Sequence, residues 1–178
     1  MKTAVLVIDM QRGLCDDPPR PYEAEQVIQR INALTERARA AGVPVAFIQH
    51  ENEIDLEFDS ERWQLADALH VDASDTKIRK NTADSFLRTP LEAWLTGHAV
   101  QRVVICGYSS EFCVDTAVRR AAALGYEVML AADAHTSHDK PHATGAFIRA
   151  HHNATLSDIT SFGVRISAVD SAQIAFGD

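Results

Sequence analysis

The chain has 178 residues, of which 46% are hydrophobic, and it carries a formal net charge of −8. This length suits one domain, over residues 1–178, and the hydrophobic fraction excludes an intrinsically disordered chain. The acidic balance, without any basic run, argues against nucleic acid or an anionic membrane surface as a partner. No apolar run approaches the ~20 residues that span a bilayer, and no cleavage-site pattern follows Met1. We therefore expect a cytoplasmic protein.

The three cysteines, Cys15, Cys106 and Cys113, are irregularly spaced. An odd count without regular spacing does not favour a disulfide framework or a zinc site. Reduced thiols in a cytosolic setting are the simpler interpretation.

The first part of the chain alternates strand and helix patterns. The run Ala4–Ile8 (AVLVI) predicts a buried strand that ends at Asp9, and a proline-rich loop follows. Apolar residues at helical spacing predict an amphipathic helix over Ala24–Ala41. Val45–Ile48 predicts a second strand, which leads to His50.

The acidic segment after the second strand has no clear period, and a short helix over Trp63–Leu69 is the expectation for it. Thr76–Arg79 predicts a short third strand, with Lys80 directly after it. Pro90 at a first helical position predicts a helix that continues through Leu95.

The most informative stretch begins at Val103. Val103–Cys106 is a continuous apolar run of the kind found in a strand covered on both faces. Gly107 permits a sharp turn, and apolar residues recur at helical spacing from Val114. We expect a helix that begins at or just after Cys113. Unpaired N–H groups at a helix start lower a thiol pKa, so this setting makes Cys113 the candidate nucleophile.

The remaining chain continues the alternation. Tyr126–Ala131 predicts a fifth strand, His142–Thr155 a helix and Gly163–Ala168 a last strand, with a covering tail from Asp170. Strands that alternate with helices indicate the α/β class. We predict a three-layer αβα, Rossmann-like architecture with a mainly parallel six-stranded sheet.

Three reactive side chains fall at strand ends. Asp9 ends the first strand, Lys80 follows the third, and Cys113 follows the fourth. Ligands of parallel sheets bind beyond the carboxyl ends of the strands, near the switch in strand order. In the order 3-2-1-4-5-6, Asp9 and Cys113 face one crevice and Lys80 arrives from the side. Each residue alone is better explained as a turn cap, a surface charge or a core thiol, and only the three together favour a site.

An Asp, a Lys and a Cys in this chain order resemble the isochorismatase-like cysteine hydrolases. The likeness covers nearly the whole chain, although Ala83 stands where an aromatic residue is common in that family. The matching segments are VLVIDMQRG at Asp9, VAFIQHE at His50, KNTADSF from Lys80, GYSSEFCVDTAVRRAAALGYEV around Cys113 and DAHTSHD from Asp133.

The resemblance implies the isochorismatase-like hydrolase fold and an amidohydrolase activity. The substrate would be a small molecule with an amide, carbamoyl or ureido C–N bond, cleaved through a thioester on Cys113. Asp9 would take the thiol proton and return it to the leaving amine, while Lys80 favours the ionised forms of both. The resemblance also implies a cis peptide bond at Tyr108–Ser109 and an oxyanion hole formed by the backbone amides of Ser109 and Cys113.

Four residues are candidates for the substrate pocket: Gln11, Trp63, Phe86 and Tyr108. The Asp-x-His pair by which the family's nicotinamidases bind a metal is absent from IQHENEIDLEFD. The resemblance therefore implies no catalytic metal and no cofactor. Family members are commonly oligomers, so it implies a homodimer or a larger assembly.

Two alternatives stay open: a metal-assisted enzyme of the nicotinamidase type, and a non-catalytic or redox-sensing oligomeric relative. The late histidines, His135, His138, His142, His151 and His152, crowd into a short span. They complete no recognised ligand pattern, so we interpret them as surface, interface or supporting residues.

Overall fold

The computed structural model describes residues 1–177, and its centre is a six-stranded sheet whose neighbouring strands all run parallel. The strands are β1 (Thr3–Ile8), β2 (Val45–His50), β3 (Thr76–Lys80), β4 (Arg102–Tyr108), β5 (Glu127–Thr136) and β6 (Ile166–Val169). Their order in the sheet is β3-β2-β1-β4-β5-β6. The predicted α/β class and the strand order 3-2-1-4-5-6 are confirmed.

Helices cover both faces of the sheet. The helices are α1 (Arg12–Cys15), α2 (Ala24–Ala40), α3 (Leu91–Gly97), α4 (Asp115–Ala123) and α5 (Gly145–Ser157), with a π-helical turn at Ser110–Val114 and a 3₁₀ turn at Ser171–Gln173. One apolar layer joins the sheet to α3, α4 and α5, and the other joins it to α2 and the C-terminal tail. Along β1, Leu6 faces the first layer and Val7 the second. Burial on both faces explains why the central strands are continuous apolar runs.

The segment Trp63–Leu69, which we expected to be helical, forms turns instead. Leu65 makes an isolated antiparallel bridge with Gln11, and the N–H of Ala66 donates to the carbonyl of Met10 at 2.9 Å. The prediction was wrong because the backbone of this segment pairs with the loop after β1 rather than with itself. That loop, in turn, contains the short helix α1, which the sequence did not indicate.

Three other elements begin or end at residues that differ from the predicted ones. β5 continues to Thr136, beyond the expected end at Ala131, and its pairing with β4 shifts register between Ile105 and Gly107. α5 begins at Gly145 rather than at His142, after a Thr144 cap whose hydroxyl accepts the N–H of Phe147. β6 begins at Ile166 rather than at Gly163.

β1 and β4 lie side by side at the centre of the sheet, and Gly107 makes their close approach possible. Gly107 pairs with Ile8 and has a φ of 117°. A Cβ at this position would collide with the Ile8 carbonyl oxygen. The glycine therefore brings the loop after β4 against the residue that follows β1. Within residues 1–177, no helix is both long and apolar enough to cross a membrane.

Candidate active site

Asp9 follows β1 directly and is held by its own backbone. Its φ is 49°, in the left-handed region that Asp tolerates better than most residues. Its N–H donates to the Ile48 carbonyl at 2.8 Å, and its carbonyl accepts the N–H of Gln11 at 2.9 Å. The side chain is almost completely buried at the carboxyl end of the sheet.

Lys80 is the last residue of β3 and reaches across β2 towards Asp9. Its Nζ lies 2.7 Å from Asp9 Oδ2 and 3.3 Å from Cys113 Sγ, and it donates to the Thr82 carbonyl at 3.1 Å. Both members of the Lys80–Asp9 ion pair are buried. The structure therefore brings together Asp9, Lys80 and Cys113, which the sequence placed at three different strand ends.

Cys113 lies in the π-helical turn Ser110–Val114, which precedes α4 and which the sequence did not indicate. The peptide bond between Tyr108 and Ser109 is cis, and Ser109 has an extended conformation. The Ser109 carbonyl accepts the N–H groups of Phe112 and Val114, both at 3.1 Å, so the turn closes around Cys113. The α-helix α4 begins at Asp115, just after Cys113 as expected, and the π-helical turn precedes it because the Ser109 carbonyl already organises residues 110–114.

The protonation of the cluster also differs from the prediction. Burial, and then the charge of Asp9, raise the pKa of the Cys113 thiol to about 12, because together they outweigh the lowering effect of Lys80. Burial lowers the pKa of Lys80, but Asp9 and Cys113 more than compensate, so that pKa is raised. The expected lowering of the Cys113 pKa was wrong. At neutral pH the site holds an ammonium and a protonated thiol.

One oxygen of Asp9 remains free. Oδ2 accepts from Lys80, whereas Oδ1 is buried and has no hydrogen-bond partner within residues 1–177. A buried carboxylate oxygen without a donor is uncommon, because desolvation without compensation is costly. The Asp9 carboxylate is close enough to the Cys113 thiol for a side-chain hydrogen bond to contribute to the raised thiol pKa, so Oδ1 is an available proton acceptor.

Two of the four pocket candidates have their side chains committed elsewhere. The Gln11 amide is buried: its Oε1 accepts the His50 N–H at 2.8 Å, and its Nε2 donates to the carbonyls of His50 and Trp63 at 2.9 and 2.8 Å. Phe86 packs in the apolar layer, where its ring stacks on Tyr126 with centroids 6.4 Å apart. These contacts fix the two side chains, and the place of Gln11 and Phe86 in the substrate pocket stays a prediction.

The other two candidates present aromatic rings near the strand ends. Trp63 is buried with its edge against Phe58, and its Nε1 has no partner within the described residues. The Tyr108 hydroxyl lies 2.9 Å from His138 Nδ1, and His138 Nε2 lies 2.7 Å from the Pro19 carbonyl oxygen. Burial is the main cause that raises the pKa of Tyr108.

A buried histidine network supports the π-helical turn that contains Cys113. His135 Nε2 lies 2.9 Å from Asn153 Oδ1, and His135 Nδ1 lies 2.8 Å from Ser110 Oγ. Asn153 Nδ2 donates to the Ala132 carbonyl, so Asn153 Oδ1 accepts from His135 Nε2–H and the Ser110 hydroxyl donates to Nδ1. Burial lowers the pKa of His135 to about 4, which keeps it neutral. No group of three or more metal-ligating side chains converges within residues 1–177.

Glu111 ties the same turn to the end of β5. Its Oε2 accepts from Ser109 Oγ at 3.1 Å, and its Oε1 accepts from Ser137 Oγ at 2.8 Å. Lys140 Nζ lies 3.4 Å from Oε1. Burial raises the pKa of Glu111, but its hydrogen bonds and Lys140 lower it by more.

Sequence reasoning missed His50. It is the last residue of β2, and its Nδ1 lies 3.5 Å from Lys80 Nζ. Burial and then Lys80 lower the pKa of this half-buried imidazole. The signal that could have found it is its place at the end of the strand between those that carry Asp9 and Lys80.

Known proteins of one family are similar to this chain in sequence. The sequence profile of the isochorismatase domain matches residues 3–161. The streptothricin hydrolase of Streptomyces noursei is 33% identical over 145 residues, which are 80% of this chain and 57% of that protein. The N-carbamoylsarcosine amidase of an Arthrobacter species is 26% identical over 152 residues, 72% of this chain and 57% of that protein. The chain thus spans little more than half the length of these two relatives.

One solved structure has the same fold over almost the whole length of both chains. The crystal structure of an isochorismatase family protein superimposes with a TM-score of 0.87 at 33% sequence identity. The match covers 95% of this chain and 98% of that chain.

Proposed function

This chain belongs to the isochorismatase family, and on that premise we propose that it is a cysteine-dependent hydrolase that cleaves a C–N bond of a small molecule. The observation that carries the proposal is the position of Lys80 Nζ, 2.7 Å from Asp9 Oδ2 and 3.3 Å from Cys113 Sγ. A base, a cation and a thiol in direct contact are the groups that nucleophilic acyl transfer requires. Relatives named for streptothricin hydrolysis and for an N-carbamoyl amidase support amide or carbamoyl chemistry.

The first step is proton transfer from Cys113 to Asp9. Because the thiol pKa is raised to about 12, the nucleophile needs a base in the site to become a thiolate. Asp9 Oδ1, buried and without a donor, is the acceptor. The transfer leaves a neutral carboxylic acid, and the thiolate keeps the Lys80 ammonium as its counter-charge.

The thiolate then attacks the carbonyl carbon of the substrate. A C–S bond forms, and the carbonyl π electrons move to oxygen, where the backbone N–H groups of Ser109 and Cys113 stabilise the oxyanion. Asp9 returns its proton to the substrate nitrogen, the C–N bond breaks, and ammonia or an amine leaves. Water, deprotonated by Asp9, hydrolyses the thioester, and the proton returns to the sulfur of Cys113.

The test is a library of small amides, carbamoyl compounds and ureido compounds, assayed for ammonia or amine release with and without a chelator. We expect turnover with at least one class, a decrease of at least 10³-fold in Cys113→Ser, and an acyl adduct on Cys113 by peptide mass spectrometry. Cys15 and Cys106, both buried, are internal controls that should carry no adduct. Turnover that survives in Cys113→Ser would exclude a cysteine nucleophile, and loss of turnover with the chelator would favour the metal-assisted alternative.

Assembly as a homodimer or larger, and a cytoplasmic location, remain predictions from the sequence. Light scattering after size-exclusion chromatography tests the first, and fractionation of the native host tests the second. A pure monomer that is fully active would contradict the predicted oligomer.

A further inference from the structure

His50 lies inside the cluster that the proposed mechanism uses, yet that mechanism gives it no role. It ends β2, the strand between those that lead to Asp9 and Lys80. Its Nδ1 lies 3.5 Å from Lys80 Nζ, and Cys113 Sγ lies 3.3 Å from the same Nζ. The imidazole Nδ1 and the sulfur are therefore separated by less than 7 Å.

The main chain of His50 is fixed by a side chain from the neighbouring loop. The Gln11 amide pairs with both backbone groups of His50, accepting its N–H at 2.8 Å and donating to its carbonyl at 2.9 Å. Gln11 is two residues beyond Asp9, and the Gln11 N–H donates to the Asp9 carbonyl. The candidate base and the histidine are thus positioned by one short segment of chain.

The neighbours of the ring determine its tautomer. A lysine ammonium is a donor only, so the Nδ1 atom that faces Lys80 presents its lone pair. The proton of the neutral ring is then on Nε2.

The charged groups around His50 keep the ring neutral. Lys80 opposes protonation of the ring, while Asp9, a hydrogen bond to the Thr82 backbone and Asp55 favour it, and burial together with Lys80 dominates and lowers the pKa. His50 therefore presents a neutral N–H donor in the active site at neutral pH. A neutral imidazole in such a site polarises a carbonyl without adding a second positive charge beside Lys80.

We propose that His50 contacts the substrate, and that its Nε2–H donates a hydrogen bond to an oxygen of the substrate close to the scissile carbonyl. This inference rests on the proposed function and deepens it. Substrates of this site would carry a carbonyl, carboxylate or carbamoyl oxygen within a few bonds of the carbon that Cys113 attacks. Compounds without such an acceptor would leave the Nε2–H unpaired and react more slowly.

The experiment uses two small alkylating probes, one with and one without a carbonyl group, so that no substrate needs to be known. In iodoacetamide a carbonyl group is bonded to the carbon that reacts, and in 1-iodopropane a methylene group takes the place of that carbonyl. Their alkylation rates at Cys113 are measured by peptide mass spectrometry in the wild type, His50→Ala and His50→Gln. His98→Ala, at an exposed histidine after α3, is the matched control.

We expect His50→Ala to slow iodoacetamide about tenfold while the 1-iodopropane rate changes less than twofold, the size of one lost hydrogen bond. His50→Gln, which retains an N–H donor, should stay within about threefold of the wild type with both probes, and His98→Ala should match the wild type. Equal slowing of both probes in His50→Ala would indicate a structural role and overturn the inference. Unchanged rates with both probes would overturn it as well.

Failure of the inference and failure of the proposed function are distinguishable. If wild-type Cys113 reacts no faster than Cys15 and Cys106 with either probe, and no library compound is turned over, the hydrolase proposal fails. If Cys113 reacts and turnover is found, but the ratio of the two probe rates is the same in every variant, only the role of His50 fails. Thermal unfolding of each variant confirms that the compared proteins are folded.

Discussion

Replacing Asp9 by Asn should make Cys113 more reactive towards an alkylating agent while turnover is lost. In the wild type, burial, the negative charge of Asp9 and a side-chain hydrogen bond to Asp9 raise the pKa of the Cys113 thiol. Asparagine has nearly the same shape but carries no charge, so the Lys80 ammonium becomes the only formal charge of the cluster beside the sulfur. The same substitution removes the base that the proposed mechanism requires.

The size of the effect follows from two distances. Asp9 Oδ2 lies 2.7 Å and Cys113 Sγ lies 3.3 Å from Lys80 Nζ, so the carboxylate oxygen and the sulfur are at most 6.0 Å apart. At an effective dielectric constant of about 20, two charges at this upper limit of about 6 Å interact by about 3 kcal/mol, so the carboxylate accounts for at least about 2 pKa units. The thiol pKa should fall from about 12 to about 10. At pH 8 the thiolate fraction then rises about 100-fold, and the lower nucleophilicity of the more acidic thiol reduces the net gain to about tenfold.

The assay is the rate of iodoacetamide alkylation at Cys113 between pH 7 and pH 10, followed by peptide mass spectrometry. The buried thiol of Cys106, whose pKa is raised by burial alone, reports global opening, and its rate should not change. Turnover of the best amide from the library should fall at least 10³-fold in the same variant. Slower or unchanged alkylation of Cys113 in Asp9→Asn would refute the view that the carboxylate holds the thiol in its protonated form.

The remaining predictions concern the cation, the central glycine and the buried histidine. Lys80→Met removes the ammonium 3.3 Å from the sulfur, so the thiol pKa should rise and alkylation of Cys113 at pH 8 should slow at least tenfold. Because the buried Asp9 carboxylate is left unpaired, the free energy of unfolding in urea should fall by about 3–5 kcal/mol. Unchanged alkylation would contradict this prediction. Gly107→Ala places a Cβ against the Ile8 backbone and should lower the free energy of unfolding by at least about 2 kcal/mol in urea titrations. Gly42→Ala, at a φ of 69° but with no atom within 4 Å of the new Cβ, should lower it by only about 1 kcal/mol. Equal losses of stability in the two variants would contradict the steric argument. Burial lowers the pKa of His135 from 6.5 to about 4, so the unfolded chain binds a proton that the folded chain does not. Stability should therefore fall as the pH drops from about 6.5 to about 4, and His135→Gln should flatten that part of the profile in urea titrations; an unchanged slope would contradict the assignment.

The fold was predictable because the central strands are short apolar runs that both faces of the sheet bury. Leu6 and Val7, adjacent in β1, face opposite apolar layers, and such a run has few alternatives in a chain that also contains regular helices. The failed helix at Trp63–Leu69 had no comparable constraint. Its backbone partners are in the loop after β1, more than 50 residues earlier, and local periodicity carries no information about them.

The convergence of Asp9, Lys80 and Cys113 was predictable for a different reason. The carboxyl ends of parallel strands share one edge of the sheet, so residues at those ends meet once the strand order is known. His50 stands at the same edge, but its role depends on the Gln11 amide and on the side of the ring that faces Lys80. Neither is encoded in a fixed spacing along the chain.

The pKa of Cys113 shows where reasoning from local structure stops. A helix start beside a thiol favours the thiolate by a partial charge at most, whereas burial and a full negative charge at about 6 Å or less favour the thiol. The larger effects prevail, and they depend on the packing of β1 and β3 around the turn rather than on the turn itself. In the proposed mechanism, a protonated thiol beside a carboxylate stays unreactive towards the substrate until the substrate carbonyl is in place. Proton transfer to Asp9 would then complete the charge pair between the sulfur and Lys80, so that the proposal couples activation and attack in one site.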